Sequence, residues 1–388
     1  MINVFDGAAQ GHPQVFQVSG LIPPRYSYGG ATVPKKNSID GFREVSASGT
    51  HHQIGVSIGK QCRDQAHLMQ KRFRSWMTPP TGIGMQKAIG YSRKSLPMSR
   101  KFHPEYVEEL EGYAEGTGIA FDEVYAMTCD FPGGGMGKGC TDLAVTSEWT
   151  KDDVVFAVHN EDVCPYNFPV VSVAMIKPND EPGYIGLNYA GIWPTAGMNA
   201  AGISLTGNAL VPNDTRLGIP KEFPVRKVLA QGGLYQALVA SMPEGRGTSF
   251  NNIISDSNGE IFAMEGSATT FDTIYAEDGW LVHTNHYLSP RMWGFEENMH
   301  TRFSSIMRYN RAKKLFKKEL GKVELSTFKK ILSDHVGFPE SICRHPDPKL
   351  GEEDQTMSIG TTAFDLTNKV AWISAGNPCQ GTFKKYEL

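Results

Sequence analysis

Residues 131–140 read Phe-Pro-Gly-Gly-Gly-Met-Gly-Lys-Gly-Cys, and the chain changes character across them. A run so dense in glycine is a loop. Before it, the apolar residues Ile54, Ile58, Cys62, Ala66, Met69 and Phe73 recur at spacings of three and four, which predicts a helix over 53–77. A second helix is predicted over 104–116. It has Pro104 at its first position, Val107, Leu110 and Ala114 on one face, and Gly116 and Gly118 to end it. Asp122 opens a short third helix over 123–127.

After the loop the period shortens. Residues 141–146 and 154–159 flank a polar turn and read as a hairpin. Strands are predicted at 170–176, 184–188 and 203–206, then in a hairpin over 251–265 that turns at Asp256-Ser257-Asn258-Gly259, then at 271–275 and 280–283. Two helices follow, 303–319 and 327–335, the second capped by Ser326. A hairpin of 359–366 with 369–374 closes the chain. Segregated runs of helix and strand favour a layered α+β architecture over alternating βαβ units. Residues 1–40, rich in Gly, Pro and Ser without a sustained period, read as an irregular N-terminal extension.

The 388 residues suffice for a large core, and a net charge of −3 lacks the basic footprint of a nucleic-acid binder. No apolar run approaches the roughly 20 residues that span a bilayer. The first residues show no basic stretch followed by an apolar core, so reduced thiols in a cytoplasmic setting are expected. The six cysteines form no C-x-x-C pair, so neither a zinc knuckle nor a redox motif is expected.

The glycine-rich loop fails as a phosphate cradle. A G-x-x-x-x-G-K-[ST] motif would need Gly where Pro132 stands and Ser or Thr where Gly139 stands, and it leads into a helix, not a strand. The other reading is that the loop presents one peptide bond to Cys140. Gly139 lacks a Cβ, which leaves its carbonyl open to attack. An N-to-S acyl shift followed by hydrolysis would leave Cys140 with a free α-amine. Such an amine has an ordinary pKa of about 7.7–8.0 and suits a general base at neutral pH. Nucleophile and base would then be one residue. The plainer alternative is a small buried cysteine at the start of a strand.

Several stretches resemble, in order, the penicillin acyltransferase-like family of N-terminal-nucleophile (Ntn) hydrolases. They are Glu109-Leu110-Glu111-Gly112-Tyr113-Ala114-Glu115-Gly116-Thr117-Gly118, Gly139-Cys140-Thr141, Asn160-Glu161-Asp162, Asn199-Ala200-Ala201-Gly202-Ile203 with Asn208, and Gly218-Ile219-Pro220 with Val225-Arg226-Lys227-Val228-Leu229. Ser257-Asn258-Gly259-Glu260 with Met264-Glu265, and His283-Thr284-Asn285-His286-Tyr287, complete the series, which spans roughly residues 42–378. The resemblance implies a four-layer αββα sandwich cleaved between Gly139 and Cys140. The fragments would be an α part (residues 41–139, with the extension) and a β part (140–388), held as one interdigitated domain. It implies Cys140 as nucleophile, Asp162 as the acid that orients the new amine, and Asn285 as an oxyanion donor. Two positions depart from the family pattern: Glu161, often aromatic, and His159, often small or an amide.

Asn160, Arg226 and His286 are the remaining candidates for substrate contact, with Arg302 a further candidate for a substrate carboxylate. A metal at His159, His283 and His286 with Asp162 and Cys164 is disfavoured. No pair has helical i, i+4 spacing, and strand alternation sends His283 and His286 to opposite faces. The basic stretch 308–318 is expected to be solvated. No G-x-S-x-G elbow suggests a serine triad. The expected activity is that of a self-processing N-terminal-cysteine amide hydrolase or acyltransferase. It would act on a small N-acyl amide or thioester, with acyl-coenzyme A a conceivable donor and no cofactor or metal. A non-catalytic member of the same fold is the alternative.

Overall fold

A computed structural model describes residues 41–79, 82–131, 139–297, 299–351 and 354–388. The expected N-terminal extension and most of the glycine-rich loop lie outside the described residues. Two sheets form, with every strand but Arg43–Gly49 drawn from residue 139 onward. The first has eight strands in the order Arg43–Gly49, Val171–Pro178, Tyr184–Tyr189, Trp193–Asn199, Ile203–Asn208, Asn251–Asp256, Ile261–Gly266 and Phe271–Tyr275. The second has six: Trp280–His283, Gly139–Val145, Phe156–Val163, Met357–Asp365, Val370–Ala375 and Lys384–Glu387.

The apolar clusters show how these layers stack. Val173, Ile185, Leu187 and Met198 of the first sheet meet Ile359, Phe364, Ala371 and Ile373 of the second. The opposite face of the first sheet packs Ile176, Tyr184, Trp193 and Leu205 against the helices between residues 51 and 128 and those after 222. The opposite face of the second packs Leu143, Val145, Phe156 and Val158 against Phe316 and Phe328 of the helices Met299–Phe316 and Leu325–Leu332. The result is the expected αββα sandwich. Residues on both sides of Cys140 build it jointly. The strand Arg43–Gly49 pairs in parallel with Val171–Pro178, and the N-terminal helices cover strands that come later in sequence.

The helices His51–Gln61 and Pro104–Thr117 cross in near-backbone contact. The cause is a pair of glycine couples at i, i+4. A Cβ on Gly55 would lie 2.0 Å from the Glu109 carbonyl oxygen, and one on Gly112 would lie 2.1 Å from that of His52. Cβ atoms on Gly59 and Gly116 would meet Tyr113 and Val56 backbone oxygens at 2.7 and 2.4 Å.

Three of the departures from expectation have a clear physical reason. The helix predicted over 53–77 is two helices, His51–Gln61 and Arg63–Trp76, broken at Cys62. Ser326 does not cap the Leu325–Leu332 helix. Glu324 does so, in a reciprocal box with Thr327, and Ser326 hydroxyl donates to Glu324 at 2.6 Å. The helix Met85–Phe102 escaped prediction because its buried face is Ala88, Ser92, Ser95 and Ser99. Its hydroxyls bond locally or to Tyr125, so a helical period exists with almost no apolar signal.

The crossing yields a differential prediction. Gly55→Ala and Gly112→Ala should each destabilise by about 1–3 kcal/mol or more, since overpacking forces backbone apart. Gly90→Ala, exposed in the helix Met85–Phe102 with nothing near its Cβ position, should stabilise by up to about 1 kcal/mol. Denaturant unfolding of the three variants checks both signs.

Candidate functional site

Cys140 is the second residue of the strand Gly139–Val145, and period-two alternation decides its surroundings. Cys140, Asp142, His159 and Glu161 face the other sheet, while Gly139, Thr141, Asn160 and Asp162 belong to the opposite face, toward the outer helices. Register puts Cys140 opposite Glu161 and Gly139 opposite Asp162. A cavity of about 640 Å³ opens on the inward side, with Cys140, Glu161, Tyr189, Ala209, Glu222 and Phe250 in its wall.

Three residues hold the Cys140 end of the strand. The Cys140 N–H donates to Asn285 Oδ1 at 2.7 Å. The Asn285 amide nitrogen donates to the Ala209 carbonyl at 3.0 Å, and the Ala209 N–H in turn reaches the Cys140 thiol. Arg308 donates to the Cys140 carbonyl, to Thr141 Oγ1 at 3.1 Å and to Asn285 Oδ1 at 2.8 Å. Burial, with Glu161, Asp142 and Asp162 nearby, pushes the Cys140 thiol well above its ordinary range, so at neutral pH it keeps its proton.

Asp162 is fully buried. One oxygen accepts from Ser358 hydroxyl at 2.5 Å; the other, Oδ2, has no hydrogen-bond partner among the described residues, with Arg344 Nε 3.8 Å away. A Cβ on Gly139 would lie 3.0 Å from both that Oδ2 and Arg344 Nε, so glycine is what lets the chain pass. Burial raises the Asp162 pKa to about 6, against the pull of Arg344, Arg308 and Ser358.

On the inner face His159 stands 2.9 Å from both Asp142 and Glu161, one carboxylate at each ring nitrogen. Burial pulls its pKa down, but the two acids outweigh burial and hold it at about 10, so it is an imidazolium. Tyr189 hydroxyl donates to the other Glu161 oxygen at 2.9 Å. The two departures from the family pattern, His159 and Glu161, are therefore one ion pair. From Asp142 the network continues through Asn208 to His283 and Glu265.

The site thus brings Cys140, Gly139, Asp162 and Asn285 together. Asn160, Arg226 and His286 are not among the cavity-lining residues. Asn160 bonds the Leu332 and Ile342 carbonyls and Thr361. Arg226 does bind carboxylates, but those of Glu109 and Glu181, and it lies over the Tyr106 and Tyr184 rings. His286 bonds Ser305 at 2.7 Å, and burial lowers its pKa to about 4. Arg308 corrects the expectation of a solvated basic helix, since it is 2% exposed. Arg308, Arg344, Ser358 and the Ala209 N–H had no separate signal in the sequence; each reaches the site by tertiary contact alone.

The profile of the acyl-coenzyme A:6-aminopenicillanic acid acyl-transferase family matches residues 149–380, more than half of the chain. No curated protein sequence matches. Solved structures that align with the chain include a variant of conjugated bile acid hydrolase from Clostridium perfringens, at 14% identity and TM-score 0.47, covering 64% of this chain and 97% of that one. Penicillin V acylase from Agrobacterium tumefaciens aligns at 13% identity and TM-score 0.36, covering 61% of this chain and 83% of that one.

The buried triad of charges makes a sharp stability prediction. His159→Gln leaves two facing carboxylates without a counter-charge and should cost about 3–5 kcal/mol. Adding Asp142→Asn and Glu161→Gln removes the stranded charges and should recover most of that loss. Guanidinium unfolding of the single and triple variants reads the difference.

Proposed function

The chain belongs to the acyl-coenzyme A:6-aminopenicillanic acid acyl-transferase family, and from that premise we propose that it cleaves itself between Gly139 and Cys140 and then transfers acyl groups through a thioester on Cys140. One observation carries this reading: the buried Asp162 Oδ2 lacks a hydrogen-bond partner among the described residues and lies beside Gly139, whose peptide bond to Cys140 would on cleavage leave an ammonium group on the Cys140 nitrogen. A stranded acceptor of this kind is costly until that group forms.

The roles then follow from the contacts. In the intact chain the thiol is protonated. For cleavage the sulfur attacks the Gly139 carbonyl as its proton passes to the departing Cys140 nitrogen, and water then hydrolyses the thioester to leave a Gly139 carboxylate and a free Cys140 amine. Once cleaved, the Cys140 amine loses its acyl group, keeps Asn285 Oδ1 as one partner and gains Asp162 Oδ2 as another. The amine takes the thiol proton, and the thiolate attacks the substrate carbonyl from the cavity wall. The Ala209 N–H, aimed at the sulfur, and the Asn285 amide nitrogen are the oxyanion donors. The second of these must turn from the Ala209 carbonyl to serve. The leaving amine collects the proton, and water or a second amine resolves the thioester. Residues 1–139 and 140–388 would stay together, because they share a sheet and a core.

The cavity wall favours an amide that carries an ammonium group. Among the described residues its charged side chains are Asp130, Glu161, Glu222, Glu297 and Lys221, the last already paired with Asp130 at 2.7 Å. Burial raises the Glu222 pKa to about 7, with Lys221 pulling the other way. The acidic lining matches a cationic amine better than the phosphates of acyl-coenzyme A, so hydrolysis of a small amino-bearing amide is the favoured activity.

Purified protein on a denaturing gel should give two bands, with the larger fragment beginning Cys-Thr-Asp, and Cys140→Ala should give one. An intact wild-type chain would overturn self-processing. Asp162→Asn should slow processing, and Asn285→Ala should lower turnover by about 10²–10³-fold, as loss of an oxyanion donor does. A pH series tests the cavity. Glu222 is protonated below about pH 7, so kcat/KM for an ammonium-bearing amide should climb through pH 7 more steeply than for its uncharged isostere. Glu222→Gln should erase that difference; parallel profiles for the two wild-type substrates would remove Glu222 from recognition.

A further inference from the structure

We propose that His335, Cys343, His345 and Cys379 form a zinc site of Cys₂His₂ type, remote in sequence from the nucleophile but joined to it by one residue. The four potential ligand atoms all lie within 4.8 Å of one another. Four of the six edges are 3.0 Å between the two histidine Nε2 atoms, 3.7 Å between the two sulfurs, and 3.6 and 3.4 Å from Cys343 and Cys379 to His345 Nε2. Zinc bonds of about 2.3 Å to sulfur and 2.0–2.1 Å to nitrogen place tetrahedral ligands about 3.8 Å apart for S···S, about 3.6 Å for S···N and about 3.3 Å for N···N. The observed edges follow that order and come within a few tenths of an ångström of each value. A set of two thiols and two imidazoles with no carboxylate selects zinc over calcium or magnesium. Both cysteines are free thiols.

The sequence hid this site. Its ligands come from three segments: the turn after the helix Leu325–Leu332, the extended stretch before the strand Met357–Asp365, and the turn after the strand Val370–Ala375. No C-x-x-C spacing marks it, which is why the cysteines suggest neither a zinc knuckle nor a redox motif in the sequence. Asn377 supports the cluster from outside, with its amide 3.7 Å from the Cys343 sulfur. Binding takes both sulfurs as thiolates and releases their protons to solvent.

What the metal would do is visible in the residue between two ligands. Arg344 follows Cys343 and precedes His345. Its backbone N–H donates to Ser358 hydroxyl at 3.0 Å, and its carbonyl accepts from the Ser358 N–H at 3.0 Å and from Asn377. Ser358 hydroxyl then donates to Asp162, and the Arg344 guanidinium stands beside the same carboxylate. The zinc would tie residues 335–345 to the turn that carries Cys379 and so hold Arg344, and Ser358 bonded to it, against Asp162. Arg344 is a positioning residue in this account. This last step rests on the role proposed for Asp162; the metal site does not.

The decisive measurement is metal content. Untagged full-length wild-type protein, purified without chelator from zinc-supplemented medium, should carry one zinc per chain by plasma mass spectrometry. Exchange for Co²⁺ should give thiolate-to-cobalt charge-transfer absorption and the visible bands of tetrahedral cobalt. Cys343→Ser and Cys379→Ser should lose the stoichiometric zinc, while His335→Cys, which keeps a fourth donor, should retain it. Substoichiometric zinc and no cobalt spectrum in the wild-type chain would overturn the proposal, as would a Cys343–Cys379 disulfide found by thiol counting. Slower self-cleavage after zinc removal would support the link to Asp162. Unchanged cleavage with zinc gone would remove that link and leave the site standing.

Discussion

A carboxylate without water around it must find its counter-charge inside the protein, and the reacting end of this chain is built around that demand. Asp162 has Arg344 and Arg308 nearby and one hydroxyl donor, Ser358, yet one of its oxygens finds no hydrogen-bond donor among the described residues. Neither arginine is spare. Arg308 is committed to the Cys140 carbonyl and Asn285, and Arg344 to Ser304 and Glu340. The deficit sits beside Gly139, the residue in register with Asp162. Removing the acyl group from the Cys140 nitrogen is the simplest change that would supply the missing donor and charge together. The same strand register that places Asp162 on the outer face puts Cys140 on the cavity wall, so the acid and the thiol serve one residue from two sides of a sheet.

That register also explains what could be read in advance. The strand pattern after residue 140 alternates clearly, so the hairpins and the layered class were legible. So was the ordered set of Cys140, Asp162 and Asn285, through the resemblance that carries them. Arg226 and Arg308 were not. A cation in a polar stretch reads as solvated or as a ligand for something external, because its partners lie far away in sequence. Arg226 meets Glu109 and Glu181, and Arg308 meets Cys140 and Asn285. The helix Met85–Phe102 was missed for the opposite reason: its face is buried but polar, and hydroxyls bonded to backbone leave no apolar period to count.

His159 and Glu161 show why a departure from a family pattern is better read as a pair than as two oddities. Alone, a buried glutamate next to a cysteine would repel the thiolate and destabilise the fold. With His159 between it and Asp142, the three groups sum to a single negative charge. Burial would push Glu161 up, yet His159 and Tyr189 hold its pKa below the ordinary carboxylate value. Glu161 therefore stays ionised in the cavity wall beside the sulfur. A negative wall at that point works against the thiolate and in favour of any cation bound there. Burial first and then the nearby acids keep Cys140 protonated; an ammonium group on the substrate would offset the acids' part, so under the proposed function binding such a substrate and activating the thiol would be coupled. An aromatic residue in place of Glu161 would loosen that coupling and let neutral acyl groups compete, so the His159–Glu161 pair is where this chain's choice of substrate is best sought.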